Sequence, residues 1–145
     1  MSKIDIYFED TKPIKLKKPA IKEYIKYLIN SEIKKTGDIT IVLCSDNYLL
    51  EMNKKYLNHD YFTDIITFDY VEGSLISGDL FISIDRVKEN ADKFKVQFIN
   101  ELMRVIFHGV LHLIGYKDKT SNDEKLMREK ENLYLSVVDF SEVEI

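Results

Sequence analysis

The sequence predicts an α+β fold in which a small mixed four-stranded sheet is covered by about five helices. Two patterns lead to this prediction. Four short segments rich in β-branched residues have the length and alternation of strands, and segments with helical spacing of apolar residues lie between or after them. The chain has 145 residues, of which 45% are hydrophobic, so it is long enough to bury a core and is expected to form one domain over 1–145.

The first three elements are a strand, a helix and a second strand. Apolar and polar residues alternate over 4–10, as in a half-buried strand. Apolar residues then recur at helical spacing over 20–35, and Gly37 is expected to end this helix because glycine readily takes the left-handed conformation. The run DITIVLC at 38–44 is β-branched and is predicted to be the second strand.

The middle of the chain alternates between regular and irregular segments. Ser45 or Asp46 can cap a short helix that runs to about Tyr56. The polar stretch at 57–64 has no periodicity and is predicted to be a loop, and the strand IITFDYV follows it at 65–71.

The last third of the chain is mostly helical. A strand at 78–84 completes a predicted hairpin, and a helix from about Asp85 is expected to break near Lys93. The segment 96–115 is apolar on most faces, so it is predicted to be a buried central helix. An amphipathic helix with an acidic first turn is expected over 121–138.

Composition restricts the class of protein. The net charge of −4 and the isoelectric point near 5.4 argue against a broad basic surface that binds nucleic acid. They do not exclude a local basic groove. The lysine-rich segment at 12–35 is interpreted as a solvated helix face. No apolar run has the length of a membrane span. The single Cys44 precludes an internal disulfide, and we expect it to be a buried packing residue in a cytoplasmic protein.

The segment HGVLHLIGYKD at 108–118 carries the strongest chemical signal. His108 and His112 are four residues apart, so on a helix their side chains lie on one face and can converge on one ion. Such a pair can also be two core histidines with satisfied hydrogen bonds. Gly115 can end the helix and let the chain bring Asp118 back toward the pair. The spacing therefore predicts a metal site at the end of the central helix.

The same spacing is similar to the extended zinc-protease signature, but one required residue is absent. Those proteases have a glutamate general base directly after the first histidine, and here that position is Gly109. Without a group that activates water for peptide hydrolysis, a zinc peptidase is the weaker interpretation.

Three segments resemble the YbeY family of bacterial metal-dependent endoribonucleases. HGVLHLIGYKD is similar to the family signature H-G-x-L-H-L-x-G-Y-D-H, with matches at His108, Gly109, Leu111, His112, Leu113, Gly115 and Tyr116. The upstream segment at 52–68 also resembles the family, with matches at Asn53, Tyr56, Asp60, Thr63, Asp64 and Phe68. The segment 78–91 resembles the family's G-D-I-x-I-S stretch, so the likeness spans about the whole domain.

The resemblance implies a single-strand-specific, metal-dependent endoribonuclease in small-subunit ribosomal RNA 3′ end maturation and ribosome quality control. It implies one divalent ion as cofactor, with zinc favoured and manganese or magnesium as alternatives. It also implies ribosomal RNA and the small ribosomal subunit as partners. The competing hypothesis is a non-catalytic ribosome-assembly factor whose metal is structural.

Two positions depart from the family pattern. The family's third metal-binding histidine falls at Asp118, and Lys117 stands where the family has aspartate. An aspartate oxygen is a competent zinc ligand, and it can shift preference toward harder metals; in the alternative register, Asp118 stays in solvent. The family arginine associated with catalysis falls at Leu57, which cannot bind a phosphate. That loss favours the assembly-factor hypothesis.

Other residues are candidates for the vacant role. Arg104 lies one turn before His108 and can grip a phosphate, or it can form an ion pair with Glu101. His59 lies in the loop that the resemblance places beside the metal, and is the second catalytic candidate. The candidates for binding the RNA backbone are Lys54, Lys55 and Lys117.

Overall fold

A computed structural model describes residues 2–144, and these residues form four strands, five α-helices and one short 3-10 helix. The strands are β1 (Ile4–Glu9), β2 (Lys35–Cys44), β3 (Ile65–Asp69) and β4 (Leu75–Ser83). The helices are α1 (Lys18–Ser31), α2 (Asp46–Leu57), α3 (Ile84–Phe94), α4 (Phe98–Ile114) and α5 (Ser121–Leu135), and the 3-10 helix is Phe140–Glu142.

The strands form one mixed sheet in the order β1-β2-β4-β3. β1 pairs with β2 in parallel, and β2 pairs with β4 in parallel. β3 is antiparallel to β4, as expected for the predicted hairpin, and lies at the edge of the sheet. The predicted α+β class, with a mixed four-stranded sheet and five helices, is therefore confirmed.

Helix α4 is the central helix of the fold and is buried along most of its length. Its apolar residues pack against the sheet in the same core as α1 and α5. Gly109 allows a close approach, because a Cβ atom there would lie 2.8 Å from Ile65 Cδ1 and 3.0 Å from Leu80. The helix therefore presses onto β3 and β4 at Gly109, between the two histidines.

The predicted end of α1 and the predicted start of β2 are wrong, whereas β2 ends at Cys44 as predicted. The helix ends at Ser31, and Ile33 takes the left-handed conformation with φ of 59°, so Gly37 does not close it. Gly37 lies inside β2, where a Cβ atom would sit 2.1 Å from Ser77 Oγ. The physical reason is strand pairing, because Lys35 and Thr36 pair with the start of β4 and extend both strands beyond their apolar cores.

Several local predictions are confirmed. The Ser45 hydroxyl accepts a hydrogen bond from the Tyr48 N–H at 3.0 Å and caps α2. Helix α3 ends at Phe94, and Lys95 takes the left-handed conformation where a break was expected. Cys44 is buried and free, and burial raises the pKa of its thiol to about 12.

Within residues 2–144, no helix is long and apolar enough to cross a membrane.

Candidate metal centre

The two histidines of α4 face each other across one helical turn. The Nε2 atoms of His108 and His112 lie 3.0 Å apart, and both side chains are about a quarter exposed, at 23% and 27%. They lie near the C-terminal end of a helix whose other residues are mostly buried in the core. The imidazoles therefore stand at the boundary between core and solvent, where an ion and a substrate can both reach them.

The turn after α4 delivers the third predicted ligand. Gly115 takes φ of +124°, and the Tyr116 N–H bonds back to the Leu111 carbonyl at 3.0 Å. Asp118 Oδ2 then lies 3.3 Å from His108 Nε2 and 3.2 Å from His112 Nε2. The structure thus brings His108, His112 and Asp118 into one cluster, and Asp118 does not point away into solvent.

In both imidazoles, the Nδ1 atom faces a hydrogen-bond acceptor. His108 Nδ1 lies 2.7 Å from Glu131 Oε2, and His112 Nδ1 lies 3.0 Å from the Tyr116 carbonyl oxygen. A carboxylate and a carbonyl can only accept, so each Nδ1 carries the proton. In the neutral rings, both Nε2 lone pairs then point into the cluster toward the Asp118 carboxylate.

This donor set fits a divalent cation. Three lone-pair atoms separated by 3.0 to 3.3 Å repel one another without a positive charge between them. A tetrahedral zinc ion with bonds of about 2.0–2.1 Å separates its ligand atoms by about 3.3 Å. The spacing of the cluster is close to that value. One open face adjoins a cavity of about 430 Å³ that Thr63, Asp64 and Thr67 also line.

Glu131 of α5 supports the cluster and was not predicted from the sequence. Its side chain is 5% exposed, and it accepts hydrogen bonds from His108 and, at 2.9 Å, from Arg104. Burial acts to raise the pKa of Glu131, but these two bonds outweigh burial and hold the pKa below 4.5. Burial also acts to lower the pKa of His108, and the carboxylate of Glu131 instead holds it above 6.5. Carboxylate partners of this kind orient metal-binding imidazoles in many proteins.

Arg104 lies beside the cluster, and the alternative in which it pairs with Glu101 is wrong. Its Nη1 donates to Glu131 at 2.9 Å and its Nη2 donates to Asn132 Oδ1 at 2.8 Å. The ion pair is therefore with α5 and not with Glu101 of its own helix. A guanidinium has five N–H donors, so these two bonds leave others that can reach a phosphate.

Comparison with known proteins identifies the family of this site. The family model described as endoribonuclease YbeY matches residues 5–139. The chain belongs to the endoribonuclease YbeY family. The three clustered side chains lie within the segment 108–118 that resembles the family signature, and their binding of a metal stays a prediction.

Relatives and a solved structure agree with this assignment. An endoribonuclease YbeY of Parabacteroides distasonis is 49% identical over 93% of this chain and 95% of its own length. One of Flavobacterium psychrophilum is 58% identical over 75% of this chain and 78% of its own length. The solution structure of a Thermotoga maritima protein is 28% identical and has a TM-score of 0.66, and the match covers 92% of this chain and 87% of that one.

The upstream segment that resembles the YbeY family includes the end of α2 and the loop after it, and it carries three of the remaining candidates, Lys54, Lys55 and His59. His59 is exposed and stacks on Tyr61, whose hydroxyl lies 3.0 Å from His59 Nδ1. Lys54 lies 3.5 Å from both Glu51 and Asp60.

None of the four remaining candidates lines the cavity of about 430 Å³ at the cluster; they are Lys54 and Lys55 in the last turn of α2, His59 in the loop after it, and Lys117 in the turn after α4. Lys55 lies over the ring of Tyr56, and Lys117 is exposed on the turn after α4. Contact with RNA by these four residues stays a prediction.

A second polar group behind the cluster also went unpredicted. The Tyr116 hydroxyl donates to Glu32 at 2.5 Å, and Lys130 donates to the same carboxylate at 3.1 Å. Tyr134 is a third donor to Glu32. These contacts connect the turn after α4 to α1 and α5. The same turn contains the Tyr116 carbonyl, which accepts the hydrogen bond from His112.

Proposed function

We propose that this protein is a single-strand-specific, metal-dependent endoribonuclease that acts in small-subunit ribosomal RNA 3′ end maturation and ribosome quality control. The observation that carries the proposal is the convergence of His108, His112 and Asp118 at the signature of the endoribonuclease YbeY family. Relatives with that name match nearly the whole chain. We also propose that the protein acts on the small ribosomal subunit and that it does so in the cytoplasm.

The proposed cofactor is one divalent ion, zinc first, held by His108, His112 and Asp118. Bound there, it supplies a Lewis acid for a phosphoryl oxygen and a water of lowered pKa. Manganese and magnesium are the alternatives, because an aspartate oxygen suits hard cations while two imidazoles suit zinc.

The protein's own groups orient that chemistry. Glu131 and the Tyr116 carbonyl keep the protons of His108 and His112 on Nδ1. In the proposal, the free N–H donors of Arg104 hold a phosphate, and His59 is the second catalytic candidate. Lys54, Lys55 and Lys117 are the proposed contacts to the RNA backbone.

The second candidate function is a non-catalytic ribosome-assembly factor with a structural metal. Leu57 favours it, because the family's arginine is absent and Leu57 is 42% exposed with no group that can bind a phosphate. In this alternative the same cluster stabilises the end of α4 and the turn to Asp118.

An RNA cleavage assay separates the two functions. The substrate is a single-stranded RNA, and the rate is measured with and without added divalent metal for the natural protein and for His108→Ala, with circular dichroism to check folding. Metal-stimulated cleavage that His108→Ala abolishes supports the enzyme. Binding to the small ribosomal subunit without cleavage supports the assembly factor.

A further inference from the structure

A large cavity lies on the α5 side of the candidate metal centre. It has a volume of about 560 Å³ and shares His108 and Asp118 with the metal cluster. A second cavity of about 500 Å³ continues from it and shares Phe94, Glu101 and Arg104. Together they form a groove between α3, α4 and α5, which we call the α3–α5 groove.

Glu101 lies in this groove without a hydrogen-bonding partner. It is 5% exposed and lines both cavities, and among residues 2–144 its carboxylate makes no hydrogen bond. Arg104 lies one turn away on α4 but donates to Glu131 and Asn132 instead. Burial raises the pKa of Glu101 above 4.5, although the nearby charge of Arg104 acts to lower it. Because no fully buried side-chain oxygen among residues 2–144 lacks a hydrogen-bond partner, the Glu101 oxygens open onto the groove, where N–H donors of a ligand can reach them.

The walls of the groove offer an aromatic face and a cation. Phe94 is 53% exposed although it is a large apolar residue. Arg128 has a side chain that is 59% exposed, and its nearest acid, Glu131, is 3.6 Å away and already bound by Arg104 and His108. An exposed ring beside an exposed arginine is the combination on which single-stranded RNA stacks a base and rests a phosphate.

The position of Glu101 makes it a binding group and not a reacting one. It precedes His108 by seven residues on the same helix, which is about 10 Å at 1.5 Å per residue. A base held by Glu101 therefore belongs to a nucleotide next to the phosphate at the metal centre.

We propose that the α3–α5 groove is a subsite for a guanine nucleotide adjacent to the cleaved phosphate, in which Glu101 accepts from the base, Phe94 stacks on it and Arg128 contacts its phosphate. The inference rests on the proposed function. The chemistry selects guanine, because an ionised carboxylate has two acceptor oxygens and guanine presents two neighbouring N–H donors, N1–H and N2–H.

The test compares guanosine with inosine, which lacks the N2 amino group. Short oligouridylates carrying one central guanosine or inosine are bound to the metal-free full-length protein, and dissociation constants are measured by fluorescence anisotropy. We expect the guanosine oligomer to bind the natural protein about tenfold or more tightly than the inosine oligomer. Glu101→Gln should abolish this difference, and Glu129→Gln, on the exposed face of α5, should keep it.

Each outcome decides the proposal. No difference between the two oligomers with the natural protein, or the same difference with Glu101→Gln, overturns it. If Glu101→Gln does not fold, Arg128→Gln takes its place and should weaken binding of both oligomers equally while the ratio stays.

A cleavage arm keeps this test separate from that of the proposed function. Products of a random single-stranded RNA are sequenced, and guanine should be enriched at one position beside the cut for the natural protein but not for Glu101→Gln. Absence of any cleavage, with guanosine binding retained, would count against the endoribonuclease and leave the subsite supported.

Discussion

At the scale of single residues, the orientation of both imidazoles depends on the groups that their outer nitrogens contact. His108 donates to the buried carboxylate of Glu131 on α5, and His112 donates to the Tyr116 carbonyl in the turn that follows α4. Both contacts put the lone pairs of Nε2 on the same side as Asp118. The geometry of the candidate metal centre is therefore held by Glu131 and the Tyr116 carbonyl, which lie outside the cluster of His108, His112 and Asp118.

Glu131→Gln tests this support directly. Loss of the negative charge behind His108 should weaken metal binding about 10- to 100-fold, as is usual for the partner of a metal-binding histidine. The measurement is competition with a coloured chelator near neutral pH. Glu129→Gln is the matched control on the exposed face of the same helix. Equal affinities of Glu131→Gln and the natural protein would mean that Glu131 serves only packing.

Asp118 is tested by removal and by replacement. Asp118→Ala should weaken metal binding as much as His112→Ala, because each removes one of three protein ligands. Asp118→His should keep zinc affinity and make it more pH-dependent, because a free histidine binds a proton below about pH 6.5 and a free aspartate only below about 3.9. Chelator competition from about pH 5.5 to 8 measures both effects. Unchanged affinity in Asp118→Ala would show that the aspartate is not a ligand.

At this scale the sequence predicted the cluster and missed its support. The i, i+4 spacing and Gly115 were sufficient to bring His108, His112 and Asp118 together. Glu131 is 23 residues from His108, so no local pattern joins them. A signal was present, however, because Met127, Glu131 and Tyr134 are the buried residues of α5, and a glutamate on a buried helix face needs a partner.

At the scale of elements, the polar group around Glu32 fastens α1, α5 and the turn after α4. The Glu32 side chain is 9% exposed. Burial acts to raise its pKa, but hydrogen bonds from Tyr116, Tyr134 and Lys130 outweigh burial and hold the pKa below 4.5. Because the pKa is lower in the folded state, the contribution to stability is present above pH 4.5 and is lost as the pH falls through the lowered value.

We therefore expect Glu32→Gln to lower the free energy of unfolding by about 1.5–3 kcal/mol near neutral pH, as for hydrogen bonds to a charged group. The loss should shrink as the pH falls below 4.5, because the natural protein then loses the same contribution. Urea unfolding at several pH values measures this. Glu23→Gln is the control, since that side chain is 73% exposed and, among residues 2–144, pairs only with Lys26. A loss independent of pH would contradict the role given to the carboxylate charge.

The elements themselves were predictable where the pattern is local. The buried helix α4, the capped α2 and the antiparallel pair β3 and β4 follow from periodicity and turn residues. The start of β2 did not follow, because Lys35 and Thr36 are strand residues only through their pairing with Leu75 and Ile76. Gly37 looked like a helix end but is required where β2 passes close to Ser77.

At the scale of the whole molecule, the charge is acidic and the cations near the centre are largely paired. The net charge is −4. Lys54 faces Glu51 and Asp60, and Arg104 is bound by Glu131. We therefore expect the surface that meets RNA to be local and to carry few free positive charges.

The salt dependence of RNA binding should therefore correspond to only a few contacts between the protein and RNA phosphates. Each phosphate contact to a single strand contributes a slope of about −0.7 in log affinity against log salt, so two or three contacts give a slope of about −1.4 to −2.1. The measurement is anisotropy of a labelled single-stranded RNA at several potassium chloride concentrations. A much steeper slope would place the RNA on a larger basic surface, such as the lysine-rich segment at 12–35.

We infer that one ion at His108, His112 and Asp118 enables this protein to cut RNA, and a titration with metal tests this inference. Metal-free protein receives zinc or manganese in fractions of an equivalent, and bound metal and the rate of single-stranded RNA cleavage are measured on the same samples. We expect the rate to rise in proportion to the first bound equivalent and then to level off, with neither binding nor cleavage in His108→Ala. Cleavage that does not follow bound metal, or that persists in a folded His108→Ala, would show that this ion does not enable the reaction.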